Sequence, residues 1–149
     1  YTSGVNIDEL VAGIGSPDVA GVFASQMGSE AMPKAAYEAA IGIHGPAMKL
    51  IYKAAFSENS LDAIIFPTPP VTARNIGDDE TIDLNGVQVP TFPTYIRNTD
   101  LGSNVGAPGI SLPCKGMSDL PVGIEFDGLP GQDQDLLSLV KSIEMALTS

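Results

Sequence analysis

The stretch from Asn98 to Gly128 constrains this chain most, because it holds two short apolar runs set among turn-forming residues. The runs are Gly109–Leu112 and Pro121–Phe126, and glycine and proline bound both of them. Apolar runs of this length with such boundaries are typical of buried strands. The segments Gly102–Pro108 and Lys115–Asp119 are rich in residues that permit unusual backbone angles, so they predict turns. The stretch therefore predicts a strand, a loop and a second strand.

The first third of the chain has the patterns of helices. Apolar spacing predicts a helix at Ile7–Ile14, and a capping serine followed by proline predicts a second one from Pro17 to about Met27. The Ala-rich segment from Pro33 to Phe56 predicts a long helix. We expect a disturbance between Gly42 and Pro46, with a kink at Gly45-Pro46, because proline removes a helical hydrogen bond and clashes with the preceding turn.

Further strands are predicted in the middle of the chain. The run Ala63–Phe66 is apolar throughout, which is typical of a strand covered on both faces in a parallel or mixed sheet. Asn85-Gly86 predicts a tight hairpin between Thr81–Leu84 and Val87–Val89. Thr91–Ile96 then predicts a loop with a short helical turn.

The last segment, Asp133–Leu147, predicts an amphipathic helix with acidic residues in its first turn, where the helix dipole favours them. Its apolar stripe is formed by Leu136, Val140, Ile143 and Leu147, with Leu137 alongside. Taken together, the patterns predict an α/β fold with a mixed β-sheet layered with helices. At 149 residues, the chain is one domain or part of a larger one, and its start without methionine suggests the latter.

Composition excludes several classes of protein. A net charge of −11 disfavours binding to nucleic acid or to an anionic membrane, since both require basic patches. The sequence has no apolar run of about 18 residues, which a membrane-spanning helix needs. It also has no basic start followed by an apolar core, as a signal peptide would. With a single cysteine, Cys114, an internal disulfide is impossible, so we predict a cytoplasmic protein.

Residues that could carry chemistry are few. A Cys–His enzyme would have to pair Cys114 with His44, and sequence alone neither brings them together nor separates them. One histidine excludes a His-rich metal site. The acidic loop Asp78–Asp83 lacks the spacing of a calcium-binding EF-hand loop. We therefore predict no metal site and no cofactor.

A polar cluster precedes the first of the two apolar runs. It consists of Asn98, Thr99, Asp100, Ser103 and Asn104. Side chains of these types often hydrogen-bond their own backbone and so shape turns.

The motifs in this part of the chain resemble the C-terminal part of the amidase-signature hydrolases. That family has a pattern close to N-x-G-x-P-x-x-S-x-P followed by a turn and L-P-V-G. The matching residues here are Asn104, Gly106, Pro108, Ser111 and Pro113, then Leu120, Pro121, Val122 and Gly123. The segment Asp62–Thr68 resembles the preceding strand of the family, and Val89–Thr99 resembles the mandelamide and indoleacetamide hydrolases in particular.

The resemblance implies a serine amidase that converts an arylacetamide-like or mandelamide-like amide to a carboxylic acid and ammonia. It implies, as the alternative to a turn-shaping role, that Asn98, Thr99, Ser103 and Asn104 form one wall of a substrate pocket and bind substrate. It implies the same role for Gln26, which would otherwise be a surface glutamine. Family members use a Ser-Ser-Lys segment with a G-G-S-S-G-G-like motif for catalysis. This chain contains no Gly-Gly pair and no Ser-Ser pair, so we assign it no catalytic residue.

Two classes of function therefore remain. In the first, the chain is the C-terminal part of an amide hydrolase, inactive alone, whose partners are a small-molecule amide and the N-terminal catalytic portion of the same enzyme. In the second, it is a non-catalytic acidic binding or interaction domain. A strand as apolar as Ala63–Phe66 needs cover on both faces, so we expect the isolated chain to form a homo-oligomer or to stay with its catalytic portion.

Overall fold

A computed structural model describes residues 4–29, 31–114 and 119–148, with side chains up to residue 146. The chain divides into two compact units, Tyr1–Ile43 and His44–Ser149. The first unit contains α1 (Ile7–Ala12) and α2 (Pro17–Met27), and the α3 helix (Lys34–Ala39) follows. The predicted caps are present: Asn6 accepts a hydrogen bond from the Glu9 amide in a capping box, and Ser16 accepts one from Val19. The first two predicted helices are therefore confirmed.

The predicted disturbance of the long helix is a π-helical turn. After α3, residues Ala40–His44 form this turn, and α4 (Gly45–Asn59) follows with Pro46 in its first turn. A proline ring clashes with the carbonyl four residues earlier, and a wider turn relieves this conflict. The helix ends at Ser60, which adopts left-handed backbone angles with a φ of 52°.

The predicted hairpin is confirmed, and it follows β1 (Ile64–Pro67) in the chain. The hairpin strands are β2 (Thr81–Leu84) and β3 (Val87–Pro90). Asn85 and Gly86 both have positive φ, 55° and 84°, as the tightest two-residue hairpin turn requires. Residues Thr91–Ile96, predicted as a loop with a helical turn, form the short helix α5.

The predicted turn over Gly102–Pro108 is wrong in its first half, because Asp100–Val105 forms a helix, α6. The helix stops at Gly106, whose φ of 74° lies in the left-handed region that favours glycine. Glycine inside a helix costs about 1 kcal/mol relative to alanine, so the sequence around Gly102 favours a loop over a helix. Tertiary contacts decide otherwise.

The main sheet has the order β1-β5-β4, with β4 at Gly109–Cys114 and β5 at Val122–Asp127. Both predicted strands of the opening stretch are confirmed within two residues, whereas most of the turn predicted between them lies outside the described residues. Both strand pairs are antiparallel. The predicted α/β class is confirmed, and this part of the predicted mixed sheet is antiparallel. Ile65 is 59% exposed, so one face of the apolar β1 strand lacks the predicted cover in this chain.

The hydrophobic core of the second unit has two parts. Tyr52, Phe56 and Val105 join α4 to α6, and the rings of Tyr52 and Phe56 lie 5.1 Å apart. Phe126 of β5 packs against Leu136 and Val140 of α7 (Asp133–Thr148). The predicted stripe of the last helix is confirmed for the buried Leu136 and Val140, and Ile143 packs at its edge. The side chain of Leu147 lies outside the described residues.

We expect Leu136→Ala to destabilise the chain by about 2–5 kcal/mol, because it removes a fully packed side chain between α7 and the sheet. Leu136 is 2% exposed, whereas its neighbour Leu137 is 52% exposed. Leu137→Ala is therefore the matched control and should change the free energy of unfolding by less than about 1 kcal/mol. Urea denaturation of both variants measures the difference. Equal losses would contradict the packing of α7 described above.

Candidate functional site

Asn98 lies where α5, α6 and the sheet come together. Its side-chain amide donates a hydrogen bond of 2.8 Å to the backbone carbonyl of Pro67, at the end of β1. The two residues are far apart in sequence, so this bond fixes the segment before α6 to the sheet. Asn98 is half-buried, and it is the member of the polar cluster that makes a long-range side-chain bond.

The other predicted wall residues bond the backbone of their own segment. Thr99 Oγ1 donates to the Ile96 carbonyl at 3.1 Å and Ser103 Oγ to the Thr99 carbonyl at 3.2 Å. Asn104 Nδ2 donates to the Asp100 carbonyl at 2.8 Å. These bonds match the local, backbone-shaping alternative predicted from sequence. Ser103 and Asn104 are nevertheless exposed, so their remaining hydrogen-bonding capacity faces outward.

Gln26 lies near the end of α2, in the first compact unit. Its side chain is exposed, and its amide donates to the Ser25 hydroxyl at 3.3 Å. The other four predicted contacts, Asn98, Thr99, Ser103 and Asn104, lie in one segment of the second unit. A substrate-binding role for Gln26 remains a prediction.

An apolar groove of about 410 Å³ lies beside α6, between that helix, α4 and β1. Its lining residues are His44, Ala47, Met48, Ile51, Tyr52, Ala55, Ile64 and Leu101. We call this the α4–α6 groove. Volumes of a few hundred Å³ with mostly apolar walls are typical of small-molecule sites. Leu101 lines the groove from the same helix that exposes Ser103 and Asn104, so α6 carries an apolar and a polar set of candidate contacts.

On the sheet surface opposite α7, the strands β4 and β5 carry small and polar residues. The hydroxyls of Thr68 and Ser111 are 2.5 Å apart, and both approach Gly123. A methyl group at Gly123 would lie 2.8 Å from each of these oxygens, so no larger residue fits there without displacing them. Ser111 belongs to the motif noted in the sequence, and its hydroxyl is thus held by the sheet in a defined place.

Asp127 is a buried acid at the end of β5, with 5% of its surface exposed. Burial, and to a lesser degree the neighbouring Glu125, raise the pKa of its carboxyl to about 6 from an ordinary value of 3.8. The Tyr52 hydroxyl donates a hydrogen bond of 3.2 Å to the Gly128 carbonyl nearby. Burial and the nearby Asp127 raise the pKa of that phenol to about 12. The acid therefore holds its proton to higher pH than a surface aspartate would.

Sequence reasoning missed Asp127, Tyr52 and the Thr68–Ser111 pair as site residues. A signal was present, since Gly123, Glu125 and Asp127 alternate with apolar residues along β5. Alternation of this kind predicts a strand with one polar face. The helix that buries Asp127 could not be predicted from that pattern.

Other candidate chemistry gains no support. Cys114 is half-buried on β4, and His44 is an exposed residue at the entrance to α4. Among the described residues, no three His, Cys, Asp or Glu side chains come together as a metal site would require. None of the helices in the described ranges is both long and apolar enough to cross a membrane.

Comparison with known proteins gives the class of protein. The model of the amidase family matches residues 21–137, and the chain therefore belongs to the amidase family. It is 41% identical over 148 residues to an indoleacetamide hydrolase of Rhizobium radiobacter, covering 99% of this chain and 32% of that protein. It is also 41% identical to a mandelamide hydrolase of Pseudomonas putida, covering 97% of this chain and 30% of that protein.

A crystal structure of an amidase superposes on the chain with a TM-score of 0.78 at 26% identity. The match covers 95% of this chain and 31% of that structure. The chain thus spans about a third of the length of the relatives it matches, and the amidase-signature fold predicted from the motifs is confirmed. Within the relatives, this chain corresponds to one part of a larger protein.

We expect Asp127→Asn to flatten part of the pH dependence of stability. Because the folded chain keeps the Asp127 proton up to about pH 6 and the unfolded chain loses it near 3.8, wild-type stability falls as the pH rises between these values. Relative to the variant, the wild type should lose on the order of 1–3 kcal/mol over this range, since one pKa unit corresponds to about 1.4 kcal/mol.

Urea denaturation of both proteins at several pH values measures this difference. Asp62→Asn, which neutralises an exposed acid just before β1, is the control and should leave the pH dependence close to that of the wild type. Parallel stability curves for the wild type and Asp127→Asn would contradict the raised pKa.

Proposed function

We propose that this chain is the C-terminal portion of an amide hydrolase that converts a primary arylacetamide-like or mandelamide-like amide to a carboxylic acid and ammonia. The observation that carries the proposal is the family match over residues 21–137, together with 41% identity to two amide hydrolases. The partial coverage of these relatives supports the view that the chain is part of a larger amidase domain.

In this proposal the chain shapes the substrate pocket and the rest of the enzyme performs the chemistry. The catalytic Ser-Ser-Lys segment of the family would lie in the N-terminal portion, and this chain would supply no catalytic residue. Cleavage of the amide would then proceed through a serine acyl-enzyme, with release of ammonia and hydrolysis by water.

The substrate contacts assigned to this chain are Asn98, Thr99, Ser103, Asn104 and Gln26. Exposed hydroxyl and amide groups on α6 can donate to and accept from a carboxamide. The neighbouring α4–α6 groove has the apolar walls that an aryl group would need. The pairing of a polar edge with an apolar groove on one helix supports an amide with an aromatic substituent.

The apolar surface of the chain supports a partner. Leu50 and Ile51 of α4 are 69% and 71% exposed, and Ile65 of β1 is 59% exposed. Large apolar side chains that stay exposed are typical of surfaces that another polypeptide covers. We propose that the N-terminal catalytic portion covers them in the enzyme and that the isolated chain covers them by forming a homo-oligomer. The single cysteine agrees with a cytoplasmic location.

The activity is tested with a fusion of this chain behind the N-terminal two thirds of the indoleacetamide hydrolase relative. We expect the fusion to release ammonia from phenylacetamide, indoleacetamide or mandelamide, because it would combine the catalytic N-terminal portion with this chain in one complete amidase domain. The chain alone and the N-terminal part alone should be inactive. A fusion that is folded by circular dichroism and gel filtration but hydrolyses none of these amides would favour the non-catalytic binding domain instead.

The partner surface is tested by light scattering of the purified chain. We expect a dimer or larger species at micromolar concentration, and we expect the double variant Leu50→Glu, Ile51→Glu to shift it toward the monomer. Lys141→Glu, a charge change on α7, is the control and should leave the mass unchanged. A wild-type monomer would contradict the proposed homo-oligomer.

A further inference from the structure

Four elements converge on the carboxyl group of Asp127. In the sheet, Asp127 of β5 lies opposite Ile64 of β1 on one side and Gly109 of β4 on the other. The helix α6 reaches the same carboxyl through Gly102. The position at the end of the central strand places one acidic side chain between the sheet and the helix that carries Ser103 and Asn104.

Two glycines show how closely the backbone surrounds this carboxyl. A methyl group at Gly102 would lie 2.5 Å from Asp127 Oδ2 and 3.2 Å from Cγ. A methyl group at Gly109 would lie 2.8 Å from Glu125 Oε1 and 2.9 Å from Asp127 Oδ1. The Asp127 carboxyl therefore fills the space that a side chain at Gly102 would need, and it shares the space at Gly109 with Glu125. This explains a glycine inside α6, since its intrinsic cost of about 1 kcal/mol is offset by the close approach.

Gly102 is also a structural centre of α6 itself. Its carbonyl accepts hydrogen bonds of 3.0 Å from the amides of Gly106 and Ala107, which close the helix and lead into β4. The other end of the segment is held by the bond from Asn98 to the Pro67 carbonyl. The segment from Asn98 to Ala107 thus contacts the sheet at two places, at the Pro67 carbonyl through Asn98 and at Asp127 through Gly102.

We propose that Asp127 is a positioning residue, whose carboxyl sets the distance between α6 and the sheet and thereby places Ser103 and Asn104 in the substrate wall. The link to substrate rests on the proposed function, whereas the placement of α6 does not. Asp127 itself would not contact the reacting amide.

The surroundings of the carboxyl suit its neutral form. Burial raises the pKa of this carboxyl most, the charge of Glu125 on the same strand adds to it, and Asp127 in turn raises the pKa of the Tyr52 phenol of α4. The helix α6 and the strand β4 present Gly102 and Gly109, and β1 presents the apolar Ile64. Among the described residues, no lysine or arginine forms an ion pair with this carboxyl. A proton on Asp127 therefore removes repulsion from Glu125, and its loss should loosen the contact with α6.

The placement of α6 is tested by amide hydrogen exchange of residues 100–107 in the whole chain, expressed as protection relative to the intrinsic rate. In the wild type, protection should fall between about pH 5 and about pH 7.5, by about tenfold. Asp127→Asn keeps the shape and stays neutral, so its protection should not depend on pH. In Asp127→Ala, the amides of residues 100–107 should be less protected than in the wild type at both pH values.

Glu125→Gln is the matched control, because it neutralises the other acid of this strand and leaves Asp127 against Gly102. It should retain the wild-type protection at the lower pH. If Asp127→Asn still shows the wild-type pH dependence, or if Asp127→Ala keeps full protection, the proposal is wrong. Should Asp127→Ala fail to fold, the pH comparison of the wild type with Asp127→Asn decides by itself.

The link to substrate is tested in the fusion enzyme described above. At about pH 5, where Asp127 keeps its proton, Asp127→Ala should raise KM by about tenfold with a much smaller change in kcat, whereas Asp127→Asn should keep the wild-type KM. Loss of α6 protection with an unchanged KM would overturn the role in the substrate wall. An inactive wild-type fusion would instead contradict the proposed function, and hydrogen exchange would still decide whether Asp127 positions α6.

Discussion

The antiparallel pairing of β5 with both β1 and β4 is the constraint on which the rest of the second unit depends. As the central strand, β5 has partners on both edges, and its side chains alternate between two different environments. Phe126 points to α7 and forms one core with Leu136 and Val140. Asp127, the next residue, lies on the opposite face against Gly102 of α6. One register thus fixes an apolar core and a buried acid together, and a shift by one residue would exchange them.

The polar face of this sheet has an energetic cost that the packing must offset. Burying a carboxyl disfavours its charged form, and the raised pKa of Asp127 expresses that cost. The glycines at positions 102 and 109 leave room for this acid between α6 and β4. A buried acid surrounded by glycine backbone, beside an apolar groove, is an arrangement that a purely structural core would not require. This is why we connect it with the proposed substrate wall.

Local patterns predicted most elements because the deciding forces were local. Capping side chains, the Asn85-Gly86 turn and the apolar stripe of the last helix each act within a few residues. The helix α6 escaped prediction, since Gly102 disfavours a helix locally and only its contact with Asp127 explains it. For the candidate site, the cluster from Asn98 to Asn104 was found from sequence, whereas the partner of Asn98, the Pro67 carbonyl, was not.

By itself, the sequence determined the family, the α/β class and the order of the elements, because motif spacing and apolar periodicity are written along the chain. Only the tertiary structure decided which acid is buried, which glycines make room for it and which apolar side chains stay uncovered. Those properties depend on residues that are distant in the sequence, such as Gly102 and Asp127. Periodicity identifies which face of a strand is polar, but the element packed on that face is set by the whole fold.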